Sequence, residues 1–185
     1  AGGVGYAQSG KVGYSVSFDG SNDNITLPSS NSITGDNLQA ASFSHWFKHT
    51  STGADYMFNL KRSATASTLC GTTTNHSSTK AGMLFRNNAN TAHRYIDSSN
   101  AMNDGTWHYV AATLDSGTWT LYIDGEADGT NTEGMQSVTG NSSTAAIGGF
   151  TTSSYQYQGN VDEVRFARTS RSADWIKTEY NNTNT

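Results

Sequence analysis

The segment DGTWHYVAATLDSGTWTLYIDGEADGT, residues 104–130, reads as three strands joined by two tight turns. The turns are Ser116-Gly117 and Asp124-Gly125, and pairs of this kind accept the positive φ that a two-residue hairpin demands. The segment is therefore a β-meander. Working outward, YSVSF (14–18) puts Tyr14, Val16 and Phe18 on one face. FSHWF (43–47) puts Phe43, His45 and Phe47 on one side and Ser44 and Trp46 on the other, and YMFNL (56–60) groups Tyr56, Phe58 and Leu60. Side chains alternate across a strand, so each run predicts a half-buried strand.

One short helix is predicted, near SADWIKTEY (172–180), with Ser172 as N-cap and Ile176 and Tyr180 four apart on one face. No repeat or linker divides the 185 residues, which suits one domain over 1–185. Many short strands, frequent turns and a terminal helix predict an all-β fold, a sandwich of two sheets.

Composition narrows the function. Hydrophobic residues make up 34% and charged residues 14%, with Ser, Thr, Asn and Gly supplying the difference. Nine Tyr, seven Phe and four Trp give the chain large groups to bury, which argues against disorder. Net charge is -4 with no basic run, so a nucleic-acid groove is not expected. No apolar run approaches the length of a membrane span. The opening residue, Ala1, and the lack of a signal peptide suit a processed or excised piece. The single Cys70 can form neither an internal disulfide nor a cysteine metal site. For a secreted protein, that absence leans towards a prokaryotic source.

GKVGYSVSFDGSNDNITLP (10–28), FSHWFKH (43–49), the 104–129 meander and GNVDEVRFARTSRSADWIKTEYNN (159–182) together resemble the laminin G-like, concanavalin A-like jelly-roll domains. The resemblance runs from about residue 10 to 182, and its ending is most similar to bacterial and archaeal modules of large secreted or surface proteins. It implies an antiparallel jelly roll of two curved sheets, often with calcium and often carbohydrate-binding. Two departures stand out. Trp175 occupies the place where members often carry the acid that closes a capping box. Trp119 stands where a smaller residue is common, either as a ligand contact or as a hairpin packing residue.

GNVDEVRF (159–166) raises the question of a catalytic pair. In a regular strand Asp162 and Glu163 point to opposite faces and cannot flank one glycosidic bond. No alternating E-x-D-x-x-E run occurs; Asp124, Glu126 and Asp128 alternate, but they follow a tight turn. An enzyme is therefore not expected. Regular alternation places Asp162 with Val164 and Phe166 on the core side, and Glu163 with Arg165 towards solvent. A buried carboxylate needs a cation or several hydrogen bonds. The FDGSNDN stretch gathers Asp19, Gly20, Asn22 and Asp23. In the family this loop meets the start of the last strand, so the resemblance implies a structural Ca2+ ion held by Asp19, Asp23 and Asp162, with oxygen from near Gly20 and Asn22. The alternative is an Asx-rich turn, with Asp162 capping backbone amides.

Sugar sites offer aromatic rings to apolar sugar faces and polar groups to hydroxyls. Trp46, Trp107 and Trp175 match positions that look structural in the family, and Tyr157 matches an aromatic packing position. The ligand candidates are therefore Tyr56, Arg86, His93 with Arg94, Tyr95, Trp119 and Tyr155. The five His show no zinc spacing, and no G-x-S-x-G elbow is present. The expected function is a non-catalytic, calcium-stabilised, extracellular or cell-surface module that binds a polysaccharide or glycan, within a larger protein. The alternative is a structural or adhesive protein-interaction module without a sugar site.

Overall fold

A computed structural model describes residues 3–29, 38–61, 68–74, 79–86, 93–133, 144–149 and 155–184. Among these, two antiparallel sheets face each other. The seven-stranded sheet has the order β1-β2-β13-β4-β9-β10-β11, and its strands are β1 (Gly5–Ser9), β2 (Tyr14–Asp19), β4 (Ala40–Lys48), β9 (His108–Asp115), β10 (Thr118–Ile123), β11 (Glu126–Asn131) and β13 (Gln158–Ala167). The six-stranded sheet, β3-β12-β5-β6-β7-β8, contains β3 (Ile25–Ser29), β5 (Asp55–Lys61), β6 (Thr68–Thr74), β7 (Ala81–Arg86), β8 (His93–Asp97) and β12 (Thr144–Ile147). One helix, α1 (Ala173–Thr183), follows.

The meander forms as predicted. Thr118 pairs with Asp115 and Ile123 with Glu126, and both turns have two positive-φ residues: Ser116 at 47° and Gly117 at 88°, then Asp124 at 49° and Gly125 at 83°. This double αL conformation matches the twist of the flanking strands. β4 is buried on both faces along most of its length because both are covered. Phe43 and Phe47 enter the core between the sheets, while Trp46 turns outward beneath α1. His45 also points inward: its Nδ1–H donates to Trp46 O at 3.3 Å, so Nε2 accepts from the Thr72 hydroxyl at 2.8 Å. That bond joins the two sheets, and burial holds the imidazole pKa down at about 4.

Ser172 caps α1, its Oγ accepting from the Trp175 N–H at 3.2 Å. The missing capping-box acid is offset by packing. Ile176 is buried against Trp46, Tyr109 and Tyr122, and the Tyr180 ring stacks on Trp46 at 5.4 Å. Burying each such side chain contributes about 1.5–3 kcal/mol. The Trp46 indole N–H donates to Thr183 Oγ1 at 2.9 Å, which carries the helix three residues past the predicted end.

Three expectations of facing are corrected. A bulge between Tyr56 and Phe58 breaks the alternation of β5, so Met57, Phe58 and Leu60 join the core while Tyr56 belongs to a separate cluster with Leu84. A second bulge lies between Asp162 and Arg165, where Glu163 takes a left-handed backbone at φ 54°. Val161 is buried opposite inward Phe47, Asp162 pairs with outward Trp46, and the extra residue returns Val164 and Phe166 to the core. Asp162 therefore does not share their face. Trp119, kept open as a ligand contact, is fully buried and stacks on Phe85 of the other sheet at 5.2 Å and 18°. Its role is packing between the sheets.

Candidate functional site

The outer face of the six-stranded sheet gathers five of the seven ligand candidates. Register places Tyr56 beside Thr73, Thr73 beside Gly82, Leu84 beside Tyr95, and Arg86 beside His93. Period-2 alternation then puts Leu84 and Arg86 on one side of β7, next to His93, Tyr95 and Asp97 of β8. Tyr56 and Leu84 are buried there, with Tyr95 packed against them. Tyr155, 53% exposed and at φ 58°, meets the Tyr56 ring edge-on at 5.6 Å. His93 meets Tyr95 at 6.0 Å.

Burial pushes the Tyr95 phenol up to about 12, with the neighbouring Tyr56, Tyr155 and Asp97 adding to the shift and Arg86 opposing it. At neutral pH the hydroxyl stays protonated, able to donate and accept. Sequence reasoning missed Asp97 and Thr73, whose Oγ1 is buried without a hydrogen-bond partner. Both follow from strand register, which alternation within one strand does not reveal. Arg94 alternates inward on β8, and its Nε lies 3.4 Å from Glu133.

The expected calcium ligands do not gather as one set. Asp19 ends β2 and pairs with Gln158, whereas Asp162 lies four residues further along β13, about 13 Å away at the usual strand rise. The Asp162 carboxylate is satisfied by two backbone amides: Val12 N–H donates to Oδ2 at 2.9 Å and Glu163 N–H to Oδ1 at 2.8 Å. A Cβ on Gly10 would stand 2.7 Å from Oδ2, so the turn between β1 and β2 closes directly on this carboxylate. Glu163 is engaged separately, by Arg165, as expected. The neighbouring acids are thus engaged separately, one as an anchor for backbone amides and the other in an ion pair.

The loop half of the set does hold together. Gly20 turns at φ 82°, Ser21 N–H donates to Asp19 Oδ1 at 2.8 Å, and Asp19 N–H donates to Asp23 Oδ2 at 3.2 Å. Asn22 is exposed, and Asp23 is buried with Oδ1 unpartnered. Beside this loop lies a hollow of about 450 Å³ lined by Asp19, Gly20, Asp55, Gln156, Gln158 and the 50–53 loop. Burial raises the Asp55 carboxyl to about 6, a shift that a bound cation would reverse. Among the described residues no three of His, Cys, Asp and Glu converge, so a cation here would draw largely on amide, hydroxyl and backbone oxygens.

Solved structures share this architecture. The heptameric SAP-like pentraxin of Limulus polyphemus superposes with TM-score 0.69 at 16% identity, covering 90% of this chain and 81% of that one. Domain 4 of an extracellular arabinanase from Geobacillus stearothermophilus, in complex with arabinotriose, gives 0.67 at 19% identity, covering 96% and 81%. The binding domain of Paraclostridial Mosquitocidal Protein 1 gives 0.76 at 12% identity; 97% of this chain corresponds to 45% of that one. No curated protein matches the sequence. The family model for the concanavalin A-like lectin/glucanases superfamily, laminin G type, matches residues 19–177. With the two-sheet topology and the terminal helix, that match places the chain in the laminin G-like branch of the concanavalin A-like lectin/glucanase superfamily.

Proposed function

We propose that the chain is a non-catalytic, extracellular carbohydrate-binding module whose ligand lies on the outer face of the six-stranded sheet. The cluster of Tyr56, Tyr95 and Tyr155, flanked by Arg86, His93 and Asp97, carries this reading. Tyrosine rings accept the C–H face of a sugar, and the phenol, guanidinium and carboxylate meet its hydroxyls. The likeness to an arabinanase domain bound to arabinotriose supports a neutral oligosaccharide as ligand. The partners are then a polysaccharide or glycan, and other modules of a secreted or surface protein.

Calcium belongs to this proposal in altered form, at the hollow of Asp19 and Asp55 and without Asp162. The hollow adjoins the ligand face through two pairs of chain neighbours, Asp55 with Tyr56 and Tyr155 with Gln156, and Tyr56 N–H bonds Tyr155 O at 3.4 Å. A cation there would fix the edge of the tyrosine cluster. The test is retention on immobilised polysaccharides with calcium and then with chelator, alongside melting curves. Retention lost in Tyr95→Ala supports the face. A melting temperature lowered by chelator in the wild type, but not in Asp19→Ala, supports the ion.

A second reading has one observation of its own. Among the described residues β1 pairs only with β2, leaving an open sheet edge, and near it Tyr6 and Tyr14 are 66% and 77% exposed. A folded sample that binds no glycan but self-associates, and loses self-association in Tyr6→Ser, would favour a protein-interaction module.

A further inference from the structure

We propose that the helix-bearing side of the molecule carries a second carbohydrate site, centred on Trp175 and separate from the tyrosine face. Of the four tryptophans, Trp46 and Trp119 are buried and Trp107 is half-buried, whereas Trp175 is 38% exposed. Its place at the third position of α1 is one where helix formation asks for a capping acid, so helix chemistry does not account for the indole. Nor does core packing, which the neighbouring Ile176 supplies.

Two hollows meet at Trp175 and Arg165. One, of about 390 Å³, lies between α1 and strands β4 and β13, bordered by Ser42, Ser44, Arg165, Arg171 and Ile176. The other, about 250 Å³, runs along the helix past Thr178, Glu179 and Asn182. The Arg171 guanidinium sits over the indole with Cζ 4.6 Å from the ring centroid, and it borders the first hollow but not the second. One side of the indole is thus fixed by a cation–π contact, and the indole also borders the second hollow, which Arg171 does not reach. A ring held in this way loses little freedom when a ligand stacks on it.

The charges point to a neutral ligand. Arg165 is matched by Glu163 and by Glu179, the latter at 2.9 Å, so the cleft presents no net positive field to an anion. What its walls offer is hydrogen bonding of both senses. Along the second hollow the Asn182 amide supplies a donor and an acceptor at the exposed rim, and the Thr178 hydroxyl, which donates to Asp174 O, keeps its acceptor capacity. A vicinal diol on a ring with an apolar C–H face satisfies the amide, the hydroxyl and the indole, which is the chemistry of a neutral pyranose or furanose. The smaller hollow suits one sugar ring, and the larger extends it to a short oligosaccharide.

The test is titration with cellotriose, xylotriose and arabinotriose at millimolar concentrations, reading tryptophan fluorescence and the Trp175 indole N–H resonance. At least one trisaccharide should shift that resonance saturably, and the shift should persist in Tyr95→Ala. Affinity at this site should fall roughly tenfold or more in Trp175→Ala. Asn182→Ala, at an exposed position, should weaken it with folding intact. If none of the three trisaccharides moves the Trp175 resonance, or if the shift disappears in Tyr95→Ala and survives in Asn182→Ala, the second site does not exist. Because the readouts name different residues, failure here leaves the tyrosine face standing, and the reverse holds as well.

Discussion

On the outer face of the seven-stranded sheet, Trp46, Tyr109 and Tyr122 lie under α1, with Ile176 and Tyr180 closing over them. On the outer face of the six-stranded sheet, Tyr56, Leu84 and Tyr95 form a cluster of similar chemistry with no described helix above it. The first cluster is joined to its cover by stacking, by the Trp46–Thr183 bond and by the Ser44–Glu179–Arg165 network. The second ends in a half-exposed Tyr155. Aromatic content alone therefore does not mark a binding face. What separates the two is whether the chain supplies its own partner for the rings.

This comparison can be broken first at its covered side. Trp46→Ala should lower unfolding free energy by about 3–5 kcal/mol, measured by denaturant titration, with glycan retention per folded molecule unchanged. A loss of retention equal to that of a tyrosine-face variant would mean that the two faces are not independent.

Acid tests the interior that both faces share. His45 has an ordinary unfolded pKa near 6.5 and a folded pKa of about 4, so between those values the unfolded chain binds a proton that the folded chain refuses. Stability is lost as pH falls through that window, by on the order of 2 kcal/mol from pH 7 to pH 5 for this residue. His49, also held near 4 by burial, acts in the same direction. Asp55 and His108 act oppositely, since burial raises the first and Asp124 raises the second. The informative quantity is therefore the difference between wild type and His45→Gln, whose stability should depend less on pH over that range.

Two smaller effects sharpen the contrast. Asp162→Ala should cost about 1–3 kcal/mol by orphaning the Val12 amide, equally with calcium and with chelator. A calcium-dependent cost would return Asp162 to a metal site. Tyr95→Ala should cost under about 1.5 kcal/mol because the ring is only partly buried, yet reduce glycan affinity roughly tenfold. Full affinity in that variant would remove the tyrosine face from function.

The meander and the helix were legible because their signals are local: turn residues with positive φ, alternation, and an N-cap followed by apolar residues four apart. The burial of Trp119 was missed although its signal was present, since it alternates with Leu121 and Ile123 on one face of β10. The facing of Asp162 and Tyr56 was not legible. Each sits beside a bulge, and one extra residue reverses the phase of a strand without any change in composition. The residues of the proposed ligand face were named one by one from the sequence, but their meeting on one sheet face depends on the register of β5 to β8, which is set by contacts between strands. The hollow beside Asp55 depends on loops meeting from three parts of the chain.

The closure of the β1–β2 turn on Asp162 also has a consequence in time. Val12 and Asp162 stand 150 residues apart, and β2 finds its second neighbour only in β13. During synthesis the first hairpin therefore waits, one edge open, until nearly the whole domain has emerged. Folding dominated by such distant pairings runs in milliseconds to seconds rather than microseconds. Until that pairing forms the hairpin keeps an unpaired strand edge, and the last strand is the one that closes it.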